Sequence, residues 1–325
     1  MKIRILGTTV LTAALLAGLF SAGAWAQSAY PNRHVTILLG YPAGTPNDTV
    51  ARVVAAKLSD RIGQPVIVEN KTGAATSLAA AVVAKAAPDG YTLYLSGIAN
   101  TINPSVNKLT FDFIKDFAPV TLVDDVPVVL VVPASGPATL KDLVAQAKQN
   151  PGKISFGSSG AGTATHLFGE LFARETGTKL THIPYRGSSQ AVVDLLAGRI
   201  QVMFSPAGTV VPHIKVGKLR ALATSNKERL AELPDVPTFA EAGVKKLDFS
   251  LWVGLSAPAG TPAPIVAYLN KEVGAVLNLP EVQAQLRRQL IYPTPSSSEA
   301  FAAFVRQDTD RWAQVVKDAG IKAND

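Results

Sequence analysis

Cysteine is absent from all 325 residues, which excludes disulfides, thiolate metal sites and a cysteine nucleophile together. Stability must come from buried apolar surface. Histidine is scarce: the four, His34, His166, His182 and His213, have no close metal-ligand spacing, and there is no His-Glu-x-x-His helix, which argues against a zinc enzyme. Charge is also thin, and its cations are scattered singly among acids, without the Lys/Arg clusters that a nucleic-acid or membrane footprint needs. Nucleotide signatures are missing too. Gly160-Ala161-Gly162 has Thr165 where a dinucleotide fingerprint needs its third glycine, and no Lys-Ser/Thr pair follows a glycine run. Gly157-Ser158-Ser159-Gly160-Ala161 departs from the nucleophile-elbow pattern at its last position. No cofactor, metal or nucleic-acid partner is expected.

What is present begins with a leader. Lys2 and Arg4 precede an uncharged stretch from Ile5 to Phe20, and Ala24-Trp25-Ala26 closes it in the small-residue pattern of a cleavage site. Residues 1–26 are expected to be a signal peptide, so that the mature chain starts at Gln27 in the periplasm. A retained anchor is the alternative, because Ile5 to Ala26 is long enough to span a bilayer. Removal takes away two cations and no acids, and the formal charge falls from +7 to +5. A mild positive field favours anionic solutes without identifying one.

A mature chain of about 300 residues exceeds one comfortable core and suits two domains. Short β-branched runs alternate with helical patterns: His34 to Leu39, Asp48 to Ile62, Pro65 to Glu69, Ser77 to Ala87, Tyr91 to Ser96. This is the βαβ rhythm of a parallel sheet covered on both faces. A second series begins at Val128 to Val132 and continues through strands at Ile154 to Gly157, Thr181 to Ile183 and Ile200 to Phe204. The apolar strand Phe249 to Ser256 is expected to return to the first lobe. Thr261-Pro262 reads as a helix start, and Ser296 with Glu299 as a capping box before a helix carrying Phe301, Phe304, Val305 and Trp312. The expectation is lobe I from 27–125 and 248–325, and lobe II from 126–247.

Four strands end in small, glycine-bearing polar loops, at Gly40 to Asp48, Ser96 to Thr101, Gly157 to His166 and Ser205 to Gly208. In open α/β sheets ligands bind outside the carboxyl ends of the strands. Glycine admits close backbone approach, and a following helix aims its first N–H groups at an anion. Ser158, Ser159, Thr163 and Thr165 add hydroxyls suited to a carboxylate. Asp48 would repel such a ligand and reads as an N-cap or loop support. Arg186 offers a bidentate anion contact, with a surface ion pair as its other reading. Tyr41 either stacks on a planar ligand or walls the cleft.

Several segments carry a resemblance. Tyr30-Pro31-Asn32-Arg33, Ala43-Gly44-Thr45-Pro46-Asn47-Asp48, Gly63-Gln64-Pro65-Val66-Ile67-Val68-Glu69-Asn70, Ala87-Pro88-Asp89-Gly90-Tyr91-Thr92, Lys115-Asp116-Phe117-Ala118-Pro119-Val120, His182-Ile183-Pro184-Tyr185-Arg186-Gly187 and Leu233-Pro234-Asp235-Val236-Pro237-Thr238 occur in the family's order. The chain resembles the extracytoplasmic solute receptors of tripartite tricarboxylate transporters, the Bug family, over essentially its mature length. The resemblance implies an α/β, type II periplasmic-binding-protein fold: two α/β lobes joined by two crossover strands, with a small carboxylate in the cleft between them. It implies a monomeric, non-catalytic receptor that hands its ligand to integral-membrane permease subunits.

The implied ligand positions are Tyr41, Ala43, Gly44, Thr45, Asn47, Asp48, Thr76, Ser77, Ser96, Asn100 and Thr101 in the first lobe. In the second they are Ser158, Ser159, Thr163, Ala164, Thr165, Arg186, Ser205, Pro206 and Ala207. Three departures touch this site. Thr45 replaces a common glycine, Ala74-Ala75-Thr76-Ser77-Leu78 replaces a glycine-rich turn, and Ser205-Pro206-Ala207 replaces a Phe-Asp-Asn-like segment. Each adds bulk or removes polarity, which points to a ligand less polar than citrate. Two alternatives stay open: a sensory receptor serving a signalling partner, and a secreted hydrolase using Ser158 or Ser159 with His166.

Overall fold

The computed structural model describes residues 30–247 and 249–320; the expected leader at 1–26 and the expected start at Gln27 lie outside the described residues. Contacts divide the chain after Asn32, and the architecture that follows is that of the unit from Arg33 onward.

Val35–Leu39 (β1) buries four of its five side chains, as a strand covered on both faces must. It runs parallel to Val66–Asn70 (β2) on one side and Thr92–Gly97 (β3) on the other. Helix Pro46–Ile62 (α1) connects β1 to β2. Thr45 caps it, Pro46 sits in its first turn, and Gly63 ends it at φ 67. Val50, Val54 and Leu58, four apart, are buried. Ser77–Val83 (α2) and Ala99–Val106 (α3) flank β3. The first of these stops short of Ala87 because Lys85 and Ala86 take tighter bonds to Val82 and Val83, just before Pro88.

Phe117–Val126 (β4) and Val128–Pro133 (β5) are separated only by Pro127, yet they belong to different sheets. β5 reads VVLVVP, and its first five side chains are fully buried. After Leu140–Gln149 (α4) come Ser155–Ser158 (β6), Ala164–Thr176 (α5), Thr181–Pro184 (β7), Ser188–Leu196 (α6), Val202–Pro206 (β8), Ala207–Lys215 (α7) and Leu219–Thr224 (β9). These strands form a five-stranded sheet in the order β7-β6-β8-β5-β9, with β6 parallel to β7 and β8, and β5 antiparallel to β8 and β9. Leu251–Pro258 (β10) then lies antiparallel between β3 and β4. Tyr292–Pro293 (β11) completes a six-stranded sheet in the order β11-β4-β10-β3-β1-β2.

Gly169 of α5 faces Phe156 of β6 so closely that a Cβ would lie 2.1 Å from the ring, and the helix can dock there only because it has none. Leu167, Phe168, Leu171 and Phe172 are buried beside it, as their shared helical face predicts. Ala263–Leu277 (α8), Pro280–Arg287 (α9) and Ser298–Asp318 (α10) follow β10. Two helix starts differ by one residue from expectation. Ser297, not Ser296, caps α10 by accepting from the Ala300 N–H, while Ser296 anchors β4 through Thr121 and Leu122. Thr261 turns its hydroxyl back to Pro258 O at 2.8 Å, leaving Pro262 as the residue before α8. Trp312 of α10 packs on Phe168 and Phe249. A buried tryptophan of this kind contributes about 3–5 kcal/mol against truncation.

Candidate functional site

The carboxyl ends of both sheets surround a cavity of about 410 Å³, within the range of small-molecule sites. One side is formed by Tyr41, Pro46, Asn47, Ala75 and Thr76, and by the α3 stripe Ile98, Ala99, Ile102, Asn103, Val106 and Asn107. The other side carries Ser159, Ala161, Gly162, Thr163, Ala164 and Pro206, and the wall between is Val126 with Leu251, Trp252 and Val253. Of the expected positions, Tyr41, Asn47, Thr76, Ser159, Thr163, Ala164 and Pro206 are therefore brought together at the cavity. Thirteen others are not among its lining: Ala43, Gly44, Thr45, Asp48, Ser77, Ser96, Asn100, Thr101, Ser158, Thr165, Arg186, Ser205 and Ala207.

Most of that second group supports the walls. Asp48 accepts from the Gly44 N–H at 2.9 Å, Arg52 Nε at 3.0 Å and Asn70 Nδ2 at 2.8 Å. Burial pulls its pKa up, but the bonds from Arg52, Gly44 and Asn70 outweigh it and hold the carboxyl at about 2. It is the loop-supporting carboxylate that its charge suggests. Asn70 Nδ2 also holds Tyr41 O at 3.0 Å, and the Tyr41 hydroxyl reaches Gly97, where a Cβ would lie 2.8 Å away. Burial, then Tyr94 and Asp124, push the Tyr41 phenol upward, so it is neutral and available as a donor. Ser96 donates to Gly254 O, Asn100 accepts from the Gly97 N–H, and Thr101 donates to Asp308. These three side chains, fully buried, tie β3 to β10 and α3 to β3 and α10.

The turn at 74–76 is strained. Ala74, Ala75 and Thr76 all have positive φ, at 45, 49 and 75, a conformation that costs non-glycine residues on the order of 1–2 kcal/mol each. Asn103 Nδ2 holds it by donating to Ala75 O at 2.6 Å and to Ser77 Oγ at 3.1 Å. Gly40, the residue after β1, makes room for it, since a Cβ there would lie 2.5 Å from Thr76 Cα. The Thr76 hydroxyl oxygen is buried with no hydrogen-bond partner among the described residues.

On the opposite side, β6 delivers the chain to the start of α5. The Thr163 hydroxyl donates to Gly160 O at 2.7 Å and does not cap the helix, so the first-turn N–H groups of α5 receive no acceptor from it. Ser159 Oγ lies 2.9 Å from Thr165 Oγ1 and 3.2 Å from Thr163 Oγ1. Ser158, fully buried, lies 2.6 Å from His182 Nε2. Burial first, and then the neighbouring His166 ring stacked at 3.8 Å, lower the His182 pKa to about 4. His166 is occupied otherwise: its Nδ1 accepts from the Gly162 N–H at 3.1 Å. The serine with a histidine partner thus has no access to the cavity, and the serine at the cavity has hydroxyls as its partners.

Arg186 is exposed; its backbone N–H donates to Gln190 Oε1 at 3.2 Å. The residues that sequence reasoning passed over are mainly apolar: Ile102, Val106, Val126, Leu251 and Trp252. Their signal was present as an i, i+4 stripe and an apolar strand, but both patterns are also those of ordinary core.

Comparison with known proteins agrees with this architecture. The model of the tripartite tricarboxylate transporter family receptors, TctC, matches residues 50–321. Protein BugT of Bordetella pertussis is 36% identical over 297 residues, covering 90% of this chain and 91% of the relative. The periplasmic binding protein BugD is 34% identical with a TM-score of 0.75, covering 91% of this chain and 100% of that one. R. palustris Rpa4515, solved with adipate, is 33% identical with a TM-score of 0.78, again covering 91% and 100%. The two-lobed α/β fold expected from the sequence is the one these structures share. The chain belongs to the tripartite tricarboxylate transporter receptor family.

Proposed function

We propose that this protein is a periplasmic receptor that captures a small organic carboxylate and delivers it to the integral-membrane subunits of a tripartite tricarboxylate-type permease. The observation that carries this reading is the cavity held between the strand ends of the two sheets, with the start of α5 opening onto it. First-turn helix N–H groups that Thr163 does not cap, with the positive end of the helix dipole, suit an anion. The adipate held by Rpa4515 supports the same ligand class.

Lobe I is assigned to 27–125 with 248–325 and lobe II to 126–247. Ligand capture closes them about the Val126-Pro127-Val128 crossing and the return segment into β10. Export depends on cleavage of the 1–26 leader. The receptor catalyses nothing: the separation of the Ser158–His182 pair from the cavity supports this, because a nucleophile must reach its substrate.

The test is thermal unfolding of the mature protein, refolded to release carried-over ligand, against mono-, di- and tricarboxylates. A ligand at a hundred times its dissociation constant adds about 2.7 kcal/mol and raises Tm by several degrees. A carboxylate recovered intact after long incubation is the expected result; its consumption would restore the hydrolase.

A further inference from the structure

We infer that the chain carries a second anion site, behind the crossing between the lobes, and that this site takes hydrogenphosphate. The site goes beyond the receptor reading and rests on it only for the position of the hinge.

A cavity of about 680 Å³, larger than the cleft at about 410 Å³, lies on the other face of the crossing strands. Side chains alternate between faces along a strand, and β4 does so here. Val126 and its pair Leu251 line the cleft, whereas Asp125 and its pair Tyr292 line the rear cavity. The other walls come from the segment 225–231, which follows β9, and from Phe249, Ser250, Arg287 and α10. An occupant would touch both proposed lobes.

Unpaired charge is the first observation. Lys227, Arg287 and Arg311 line this cavity and form no ion pair among the described residues. Arg229, beside them, is spent on Glu241 at 2.9 Å. The Arg287 and Arg311 guanidiniums each lie 5.5 Å from a ring centre, over Tyr292 and Phe249, a contact that orients the plane and leaves its N–H edge free. Arg287 commits its Nε to Gln283 at 3.1 Å. Three cations from separate elements that face one cavity repel one another unless an anion lies between them, and guanidiniums offer a tetrahedral oxyanion paired donors. Of the lining acids, Glu228 is exposed, and Asp308 has given Oδ2 to Trp252 and Thr101.

Two orphaned acceptors are the second observation. Asp125 and Asn226 both line the cavity, and the Oδ1 atom of each is buried with no hydrogen-bond partner among the described residues. Such atoms cost stability until a donor meets them. Hydrogenphosphate supplies one, because it is an anion that keeps an O–H. Sulfate has the same shape and charge but no proton, and would meet these oxygens as a repulsion. Burial pushes the Asp125 carboxyl up, which suits a proton held between it and the ligand.

Calorimetric titration of the mature protein with sodium phosphate, and with sodium sulfate at equal ionic strength, tests this. Phosphate is expected to saturate one site and to bind at least about tenfold more tightly than sulfate. Its affinity should fall at least about tenfold in Arg287→Gln and in Arg311→Gln. Both arginines are exposed, and a cooperative unfolding transition establishes that each variant has folded. Lys227→Gln, also at an exposed position, is the further variant, with an expected loss of at least about threefold. No saturable phosphate binding, equal binding of sulfate, or unchanged affinity in the folded variants would overturn the inference and leave the receptor reading, which carboxylates test, intact. Amide exchange read by mass spectrometry locates the site: phosphate should slow exchange in 225–231 and in α10. Slowing confined to the start of α5 would place the phosphate in the cleft and overturn the rear site.

Discussion

The indole N–H of Trp252, whose ring walls the cleft, donates to Asp308 Oδ2 at 2.9 Å, and the Thr101 hydroxyl reaches the same oxygen at 2.7 Å. One buried oxygen on α10 therefore fixes a wall residue of β10 and the first turn of α3. Asp308→Ala orphans two buried donors and is expected to cost about 2–4 kcal/mol. The check is a lowered urea midpoint at unchanged m-value.

Trp252 and Trp312 are the tryptophans after residue 26, and of the two only Trp252 lines the cavity. A bound carboxylate should change tryptophan emission in the native protein. Trp252→Phe is expected to abolish that change while calorimetry still records binding. Trp312→Phe should preserve it and lower Tm instead.

Gly40→Ala would press a methyl group into the backbone of the strained turn at Thr76. Neither element can yield cheaply, because Asn103 holds one and the β1 ladder the other. Destabilisation of about 1–3 kcal/mol is expected, together with weaker ligand binding, since Thr76 lines the cleft. A Gly40→Ala protein with native Tm and native affinity would contradict this account of the turn.

His182 titrates at about 4 in the folded protein, against about 6.5 for an unperturbed histidine. Protonation therefore favours the unfolded chain. Its contribution is complete above pH 6.5, is lost as pH falls from 6.5 to 4, and is flat below. His182→Gln should flatten the stability profile in that window, measured by urea unfolding at pH 7, 5.5 and 4. A variant profile as steep as the native one would assign the loss to other groups.

Asp48 has the opposite kind of partner set, and its carboxyl is held down at about 2. Its stabilisation is present above the ordinary carboxylate pKa near 4 and is lost as pH falls towards 2. Asp48→Asn is expected to destabilise by about 1–3 kcal/mol at pH 7, and by progressively less in acid. Equal loss at both ends of that range would mean that the charge is not what the loop uses.

Arg186 illustrates what pattern reading misses. The guanidinium has the right chemistry for a carboxylate, and its loop leaves a strand end as a ligand loop should, yet the residue is exposed and lies outside the cavity lining. Ile102 and Val106 illustrate the reverse. Their spacing marks one buried helical face, and nothing local distinguishes a face buried by protein from one that also borders a ligand.

The sequence by itself determined the alternation of strands and helices, the two series of βαβ units, the four glycine-bearing loops and the supporting role of Asp48. These follow from side-chain period, from capping chemistry and from charge, all of which act within a few residues. Only the tertiary structure decided which loop residues reach the cavity, that Ser158 meets His182 and not His166, and that the wall between the lobes is apolar. Those facts depend on strands far apart in the chain, β4 and β10 above all, whose pairing sets Val126 opposite Leu251. Such a contact is fixed by register between strands, which no local period encodes.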